Sequence, residues 1–314
     1  MFLRGSVFGP LLFNIYLNDL FYDLDDSVCN FADDTTSFVC DIHLEIVLCK
    51  LENNANNAIQ LFKNNHMKMN PDKCKLIIAG HKWEHVWANI EDTKIWENDS
   101  VQLLGVTIDS KLRFDDHLSE ICRKAENKLS ALTRIFKFLN FDKRRQLVKA
   151  FFESQFKYCS FVWMFCSRTT NNKINSLHKS ALRLIYEDYD ATFEELLEID
   201  GSFSVHHFNI QTLLIEIYKF CNDLSIKIFS DLFQIKNNRY CLRSNSNLQR
   251  PNIQSVYNGE NSLSYYAPIM WDLVPMEIKN SNSLEIFIRK IRHWKPQSCP
   301  CRLCKVFIPN LGFI

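Results

Sequence analysis

The sequence predicts an α+β protein whose strands gather in the first third and whose remainder is helical. Gly (7 copies) and Pro (8 copies) are scarce among 314 residues, which disfavours a loop-rich or all-β chain. Short segments rich in Thr, Val and Phe lie before residue 110. After His117, apolar residues recur at intervals of three and four over long stretches. A hydrophobic content of 46%, with 13% aromatic residues, marks a chain that folds, and the length allows two or three compact units.

The elements follow in order. Gly5-Ser6-Val7-Phe8-Gly9 reads as a flexible loop, with Pro10 placed as the first residue of a helix. Leu11, Leu12, Ile15, Tyr16 and Leu20 then form its apolar stripe. An acidic loop at Asp23, Asp25 and Asp26 leads to Val28–Cys40, where apolar residues flank Asp33-Asp34 and β-favouring Thr35, Thr36, Phe38 and Val39 follow, a β-hairpin pattern. A helix is expected over about 43–66. Asn70-Pro71-Asp72 is a turn before a short strand, Cys74–Ala79, and further strands are expected around 85–97 and 101–108. Leu118, Ile121, Cys122, Ala125, Leu129, Leu132, Phe136 and Leu139 open the helical part, which continues through Lys143–Tyr158 and Asn172–Tyr186. Thr192 with Glu195 fits a capping box, and Val205–Leu224 is a further helix. The Asn/Ser-rich stretch 236–262 reads as a linker, and Trp271, Pro275, Phe287 and Trp294 as the core of a compact tail.

The net charge of +1 conceals an asymmetry. Residues 1–60 hold nine acids against two bases, and residues 111–183 hold sixteen Lys/Arg against six Asp/Glu. An acidic start joined to basic helices suits a metal-dependent site beside nucleic-acid-gripping modules, and equally suits ordinary solvated helix faces. Nine of the twelve cysteines stand singly in apolar segments and read as buried thiols of a reducing, intracellular compartment. Neither a cleavable leader nor a membrane span is expected, because Asn14, Asn18 and Asp19 break the first apolar run. Phosphate-loop, nucleophile-elbow and zinc-protease motifs are missing.

Two clusters can carry chemistry. Adjacent carboxylates at a hairpin turn, Asp33 and Asp34, present oxygens to a divalent cation, a geometry that also occurs in plain solvated turns. Cys299, Cys301 and Cys304, with His293 as a fourth donor, are soft ligands for Zn²⁺. Their C-x-C-x-x-C spacing departs from the common paired arrangement, so zinc and free thiols both remain open.

The string from Gly5 to Leu20, followed by Phe31-Ala32-Asp33-Asp34-Thr35, closely resembles the palm of non-LTR (jockey-like, long interspersed element type) reverse transcriptases. The first part looks like motif B of that family and the second like motif C. His66–Lys75 is similar to motif D, and Leu103–Asp109 with Leu112-Arg113-Phe114 and His117 to the primer grip and thumb entry. Tyr158–Tyr186 and Ala267–Pro275 continue the likeness. The resemblance implies a partial palm over 1–110, a helical thumb over 111–190, a helical extension over 191–235, the 236–262 linker and a tail domain over 263–314.

It also implies roles. Asp33 and Asp34 would bind Mg²⁺ (or Mn²⁺) for two-metal nucleotidyl transfer, and Lys73 would act at the triphosphate. Gly5, Ser6 and Gly9 would support template and incoming nucleotide, where Gly5 permits close backbone approach. Gly105, Arg123, Lys124, Lys128, Arg144 and Arg145 would contact nucleic acid. The implied partners are an RNA template, a DNA primer and deoxynucleotides in the cytoplasm or nucleus. Two departures stand out. Arg4 and Phe8 occupy positions where the family usually has Gln and Leu. The motif A that supplies the other metal-binding Asp, the fingers and the endonuclease are not among these residues, so the chain alone is expected not to polymerise. The alternatives are a non-catalytic nucleic-acid-binding protein and a chain left unstable by an unpaired sheet edge.

Overall fold

The computed structural model describes residues 8–18, 28–32, 34–80, 85–165, 167–226, 228–235, 248–253, 259 and 262–295. Helices are joined to small antiparallel two-stranded sheets, an α+β content as the sequence predicts. The chain divides into two compact units, Met1–Gln102 with Asp109–Lys111, and Leu103–Ile108 with Leu112–Ile314.

In the first unit, α1 (Gly9–Asn18) begins one residue before Pro10, whose fixed φ and missing N–H suit a first turn. The hairpin β1 (Val28–Phe31) and β2 (Asp34–Ser37) follows, and then the 21-residue α2 (Leu44–Asn64). The hairpin β3 (Trp87–Ile90) and β4 (Thr93–Trp96) supplies this unit's core, where Leu76, Ala88 and Ile95 are buried with Leu48 and Leu51 of α2 packed against them. Polar residues of α2 pin this hairpin. Glu52 accepts from the Asn89 N–H at 2.5 Å, Asn56 accepts from the Glu91 N–H at 2.8 Å, and Lys63 pairs with Glu91. Strand groups that a two-stranded sheet leaves unpaired are thereby satisfied by a helix.

Several expectations change here. The stripe on α1 faces outward: Leu11, Leu12 and Ile15 are exposed, and Leu17 is the buried residue. Cys74–Ala79 is no strand but an irregular run holding one parallel bridge, Leu76 to Glu97. The expected strands at 85–97 and 101–108 are each a hairpin, the second being β5 (Ser100–Leu103) and β6 (Val106–Asp109). Residues with positive φ, Glu91 at 51° in one turn and Leu104 at 47° in the other, fold the chain back midway.

The second unit is helical. The long α3 (Asp115–Phe136) and α6 (Arg168–Tyr186) pack face to face, burying Leu118, Ile121, Cys122, Ala125, Leu129 and Leu132 against Ile174, Ala181, Leu182 and Ile185. The expected helix Lys143–Tyr158 is broken in three. It runs as α4 (Phe141–Leu147), a π-helical turn Val148–Phe152 and a 3-10 turn Glu153–Phe156, which bring Val148, Phe152 and Phe156 into one core. The short α5 (Ser160–Trp163) leads to α6. The capping box at Thr192 and Glu195 is present and opens α7 (Phe193–Asp200).

α8 (Val205–Cys221) is buried around most of its circumference, with α10 (Leu263–Leu273) and α12 (Leu284–His293) packed on it. α9 (Ile228–Leu232) and α11 (Met276–Lys279) complete the described set. Trp271 and Phe287 are core residues, as the sequence suggests, but they share one core with Leu213, Leu214 and Ile217 of α8 and form no separate tail core. Leu248, inside the expected linker, is fully buried and bridges Ile235. Of the single cysteines described, Cys122 is buried, while Cys29, Cys40, Cys49 and Cys159 are exposed, which corrects the reading of them as core thiols.

Two buried polar features set how this unit responds to its environment. The Asp200 carboxylate, 3% exposed, accepts from Arg145 Nε at 2.8 Å and from Tyr186 Oη at 2.9 Å, joining α4, α6 and α7. Asp200→Ala strands both donors and is expected to cost about 3 kcal/mol, read from urea unfolding. His178 lies between the rings of Phe152 and Phe193, and burial pushes its pKa down to about 4. Burial does the same to His207. Below the ordinary value of 6.5 the unfolded chain takes up protons that the folded unit refuses. Stability is therefore expected to fall as pH drops from 6.5 towards 4, by up to about 3 kcal/mol for His178. Unfolding midpoints across that range should show a shallower slope in His178→Gln.

Candidate functional site

The Asp-Asp segment sits where the sequence puts it, on a tight hairpin. Phe31 pairs with Asp34, Asn30 with Thr35, Cys29 with Thr36 and Val28 with Ser37. Ala32 adopts a left-handed φ of 54°, the backbone reversal that a two-residue connection demands. Asp34 opens β2 and is exposed, and Asp33 lies outside the described residues. The side chain of Asn30 organises the turn. Its amide donates to the Ala32 carbonyl at 3.0 Å, and its oxygen accepts from the Thr35 hydroxyl at 2.8 Å. Sequence reasoning passed over Asn30. The available signal was a polar residue one position before the Phe, directly across the ladder from Thr35.

Gly9 is the first residue of α1, while Gly5 and Ser6 lie outside the described residues. Lys73 is exposed at the end of a 3-10 turn, Pro71–Lys73, which is closed by the Lys73 N–H donating to the Asn70 carbonyl at 3.1 Å. Neither Asp34 nor Lys73 forms an ion pair among the described residues. Nor do the described residues contain any group of three His, Cys, Asp or Glu able to hold a metal ion. Asp34 is thus the one described carboxylate of the expected cage. His293 is on α12, where Nδ1 donates to the Arg289 carbonyl at 2.8 Å; Cys299, Cys301 and Cys304 lie outside the described residues.

In the second unit, Gly105 occupies the β5–β6 turn with φ +82°, beside Leu104 at 47°. Tyr158, two residues past the 3-10 turn, donates its hydroxyl to the Leu104 carbonyl at 2.6 Å and lies 3.8 Å from where a Gly105 Cβ would stand. His117 anchors the same hairpin from α3. Its Nδ1 accepts from the Thr107 N–H at 3.3 Å, and burial pushes its pKa below the usual histidine value.

The basic residues named from sequence separate into two groups. Arg144 is turned inward, donating to the carbonyls of Phe136 and Leu139 at 3.0 Å and pairing with Glu187. Arg145 is held by Asp200. These two arginines brace helix ends, which conflicts with the nucleic-acid role expected of them. Arg123 is exposed but gripped by Glu120 through two hydrogen bonds of 2.7 Å, and Lys124 lies 3.5 Å from the same carboxylate. Those guanidinium bonds, with the two nearby cations, hold the Glu120 carboxyl down at about 2. Lys128, Arg134, Lys143 and Lys149 make no ion pair among the described residues. Phe138 is 77% exposed, with Lys137 Nζ 4.9 Å from its ring centroid. An exposed ring beside a cation has the chemistry to stack on a base. Phe138 lies two residues past the end of α3, in the turn before α4.

Residues 3–108 match the family model described as reverse transcriptase (RNA-dependent DNA polymerase), a match that supports a reverse transcriptase. No curated protein and no solved structure matches the chain. No described helix is long and apolar enough to cross a membrane.

The Tyr158 contact with the hairpin turn yields a test. Since 3.8 Å is ordinary van der Waals separation, Gly105→Ala meets no clash, and its cost comes from the backbone. About 1–2 kcal/mol of destabilisation is expected in thermal unfolding, with Tyr158→Phe costing less.

Proposed function

We propose that this chain is the portion of a non-LTR mobile-element reverse transcriptase that carries one wall of the polymerase palm and a helical nucleic-acid grip. The observation carrying the reading is Asp34 at the start of the second strand of a register-defined hairpin, inside the stretch that matches the reverse transcriptase family. A hairpin holds carboxylates more rigidly than a loop does, because the ladder fixes the backbone on both sides. In such a site the pair would hold Mg²⁺ against the incoming triphosphate, the ions lowering the charge cost of nucleotidyl transfer. Gly5, Ser6 and Gly9 would line the template and nucleotide side, with Lys73 near the leaving group.

A two-ion cage needs a carboxylate from a second strand, which the resembled family takes from its motif A, and that motif is not among these residues. The reading therefore includes inactivity of these 314 residues by themselves. Purified chain with a primed RNA template, deoxynucleotides and Mg²⁺ is expected to give no primer extension. Supplying an upstream palm segment that contains the missing Asp should restore it, with Asp34→Asn lowering the rate by orders of magnitude. Extension by the chain alone, abolished by Asp33→Asn, would refute the inactivity.

The nucleic-acid grip is assigned to the half-buried Lys128 and the exposed Arg134, Lys143, Lys149 and Phe138, whose cations no acid pairs with among the described residues. Lysines and arginines of this kind bind phosphates through counterion release, without reading sequence. Affinity for an RNA–DNA hybrid should fall steeply with salt, and Lys128→Ala or Arg134→Ala should each reduce the log–log slope by about 1. Arg144→Ala should instead lower the unfolding midpoint. A slope unchanged in the Lys128 and Arg134 variants would remove this surface from the reading. This grip alone, without catalysis, is the second reading, favoured if the trans-supplied palm segment binds the chain yet yields no extension.

A further inference from the structure

The β5–β6 turn is held from outside as well as by its own ladder. Its two residues, Leu104 and Gly105, both have left-handed backbone, with φ of 47° and 82°, and both are exposed. Glycine adopts that conformation freely. Leucine does not, and a leucine kept there with 41% of its surface exposed has little packing of its own to offset the strain. Such a conformation persists when neighbouring groups over-determine it.

Two side chains do so. The Tyr158 hydroxyl donates to the Leu104 carbonyl at 2.6 Å, and His117 Nδ1 accepts from the Thr107 N–H at 3.3 Å, just past the turn. Tyr158 is itself tied down. Trp163, buried in the core between α3 and α6, donates its indole N–H to the Tyr158 carbonyl at 3.3 Å. Tyr158 nevertheless stays 53% exposed, so burying its ring is not what it contributes.

The carbonyl that Tyr158 holds belongs to the Leu104–Gly105 peptide. A trans peptide is planar, with its C=O and N–H pointing in opposite directions, so fixing one aims the other. The Gly105 N–H is thereby turned away from the Tyr158 hydroxyl. It makes no hydrogen bond among the described residues, and no Cβ screens it. A fixed N–H on an exposed glycine is a donor for an oxyanion, and backbone N–H groups are regular partners of nucleic-acid phosphates.

We propose that Tyr158 is a positioning residue of the nucleic-acid grip: by holding the Leu104 carbonyl it aims the Gly105 N–H at a backbone phosphate. The inference rests on the grip reading above, to which it adds a contact set by geometry instead of net charge.

The test measures the affinity of the full chain for an RNA–DNA hybrid by fluorescence anisotropy, with thermal unfolding recorded for every variant. Tyr158→Phe keeps the ring and loses the donor. It is expected to weaken binding about three- to tenfold and to leave the salt slope unchanged, because no cation is lost. Hybrids carrying a single uncharged methylphosphonate locate the partner. At one backbone position the change should weaken binding by wild-type chain without further weakening Tyr158→Phe. Leu104→Gly separates positioning from contact. Glycine holds a left-handed φ unaided, so in that background Tyr158→Phe should cost much less affinity than it does in the wild type. The same background carries the test if Tyr158→Phe alone does not fold. The proposal fails, with the grip reading intact, if Lys128→Ala lowers the salt slope while Tyr158→Phe binds as wild type does. It also fails if no methylphosphonate position distinguishes the two chains. A Tyr158→Phe loss equally large in the Leu104→Gly background would overturn it too, since the hydroxyl itself would then be the contact. If wild-type chain does not bind the hybrid, the grip reading and this inference fall together.

Discussion

The burial of α8 governs the second unit. A helix that carries Ile210, Leu213, Leu214, Ile217 and Tyr218 in its interior-facing positions, and Asn209 and Gln211 among its other buried residues, has no solvated face of useful width. Such a helix is stable only when neighbours cover it. The covering is done by α6 on one side and by α10 and α12 elsewhere, so segments some eighty residues apart in sequence share a single core. The polar cost is met by directed bonds. Gln211 donates to the Trp294 carbonyl at 3.1 Å, and Tyr218 donates to the Ser281 carbonyl at 2.6 Å. The half-buried Arg292 lies at this same edge, its guanidinium 4.3 Å from the Phe208 ring centroid.

The first unit obeys a different constraint. Its sheets have two strands each, too few to bury both sides of a ladder, and stability is borrowed from α2 through side-chain bonds to the β3–β4 backbone. Among the described residues, the β1–β2 hairpin has no comparable cover. Phe31 and Phe38 remain exposed, as do Leu11, Leu12 and Ile15 of α1. Local hydrogen bonding by Asn30 keeps the turn in register where packing does not.

How much of this was legible in the sequence depends on how local the cause is. The capping box at Thr192 and Glu195, the helix start at Pro10 and the Asp-Asp hairpin are written in adjacent residues, and all three are present. The break within 141–156 was not legible, because its residues are competent helix formers and the π-helical turn arises from fitting Val148, Phe152 and Phe156 into one core. Charge misled in a similar way. Arg144 and Arg145 look like a basic patch, yet their partners Glu187 and Asp200 are 43 and 55 residues away. Within the candidate site, Asp34 and Gly105 could be placed from motif and turn chemistry, whereas the Tyr158 contact with the Leu104 carbonyl depends on tertiary structure alone.

The late position of α12 has a consequence for biosynthesis. Phe287 and Ile291, fully buried against the core that contains α8, are more than seventy residues downstream of Leu213. A ribosome would have to release nearly all of this stretch before the helix could be enclosed, so its apolar circumference would wait in contact with water or a chaperone. The hairpins and α2, built from neighbours in sequence, are under no such delay. Translation would thus let the first unit and the α3–α6 core close well before α8 is covered, because α12 follows them in the chain.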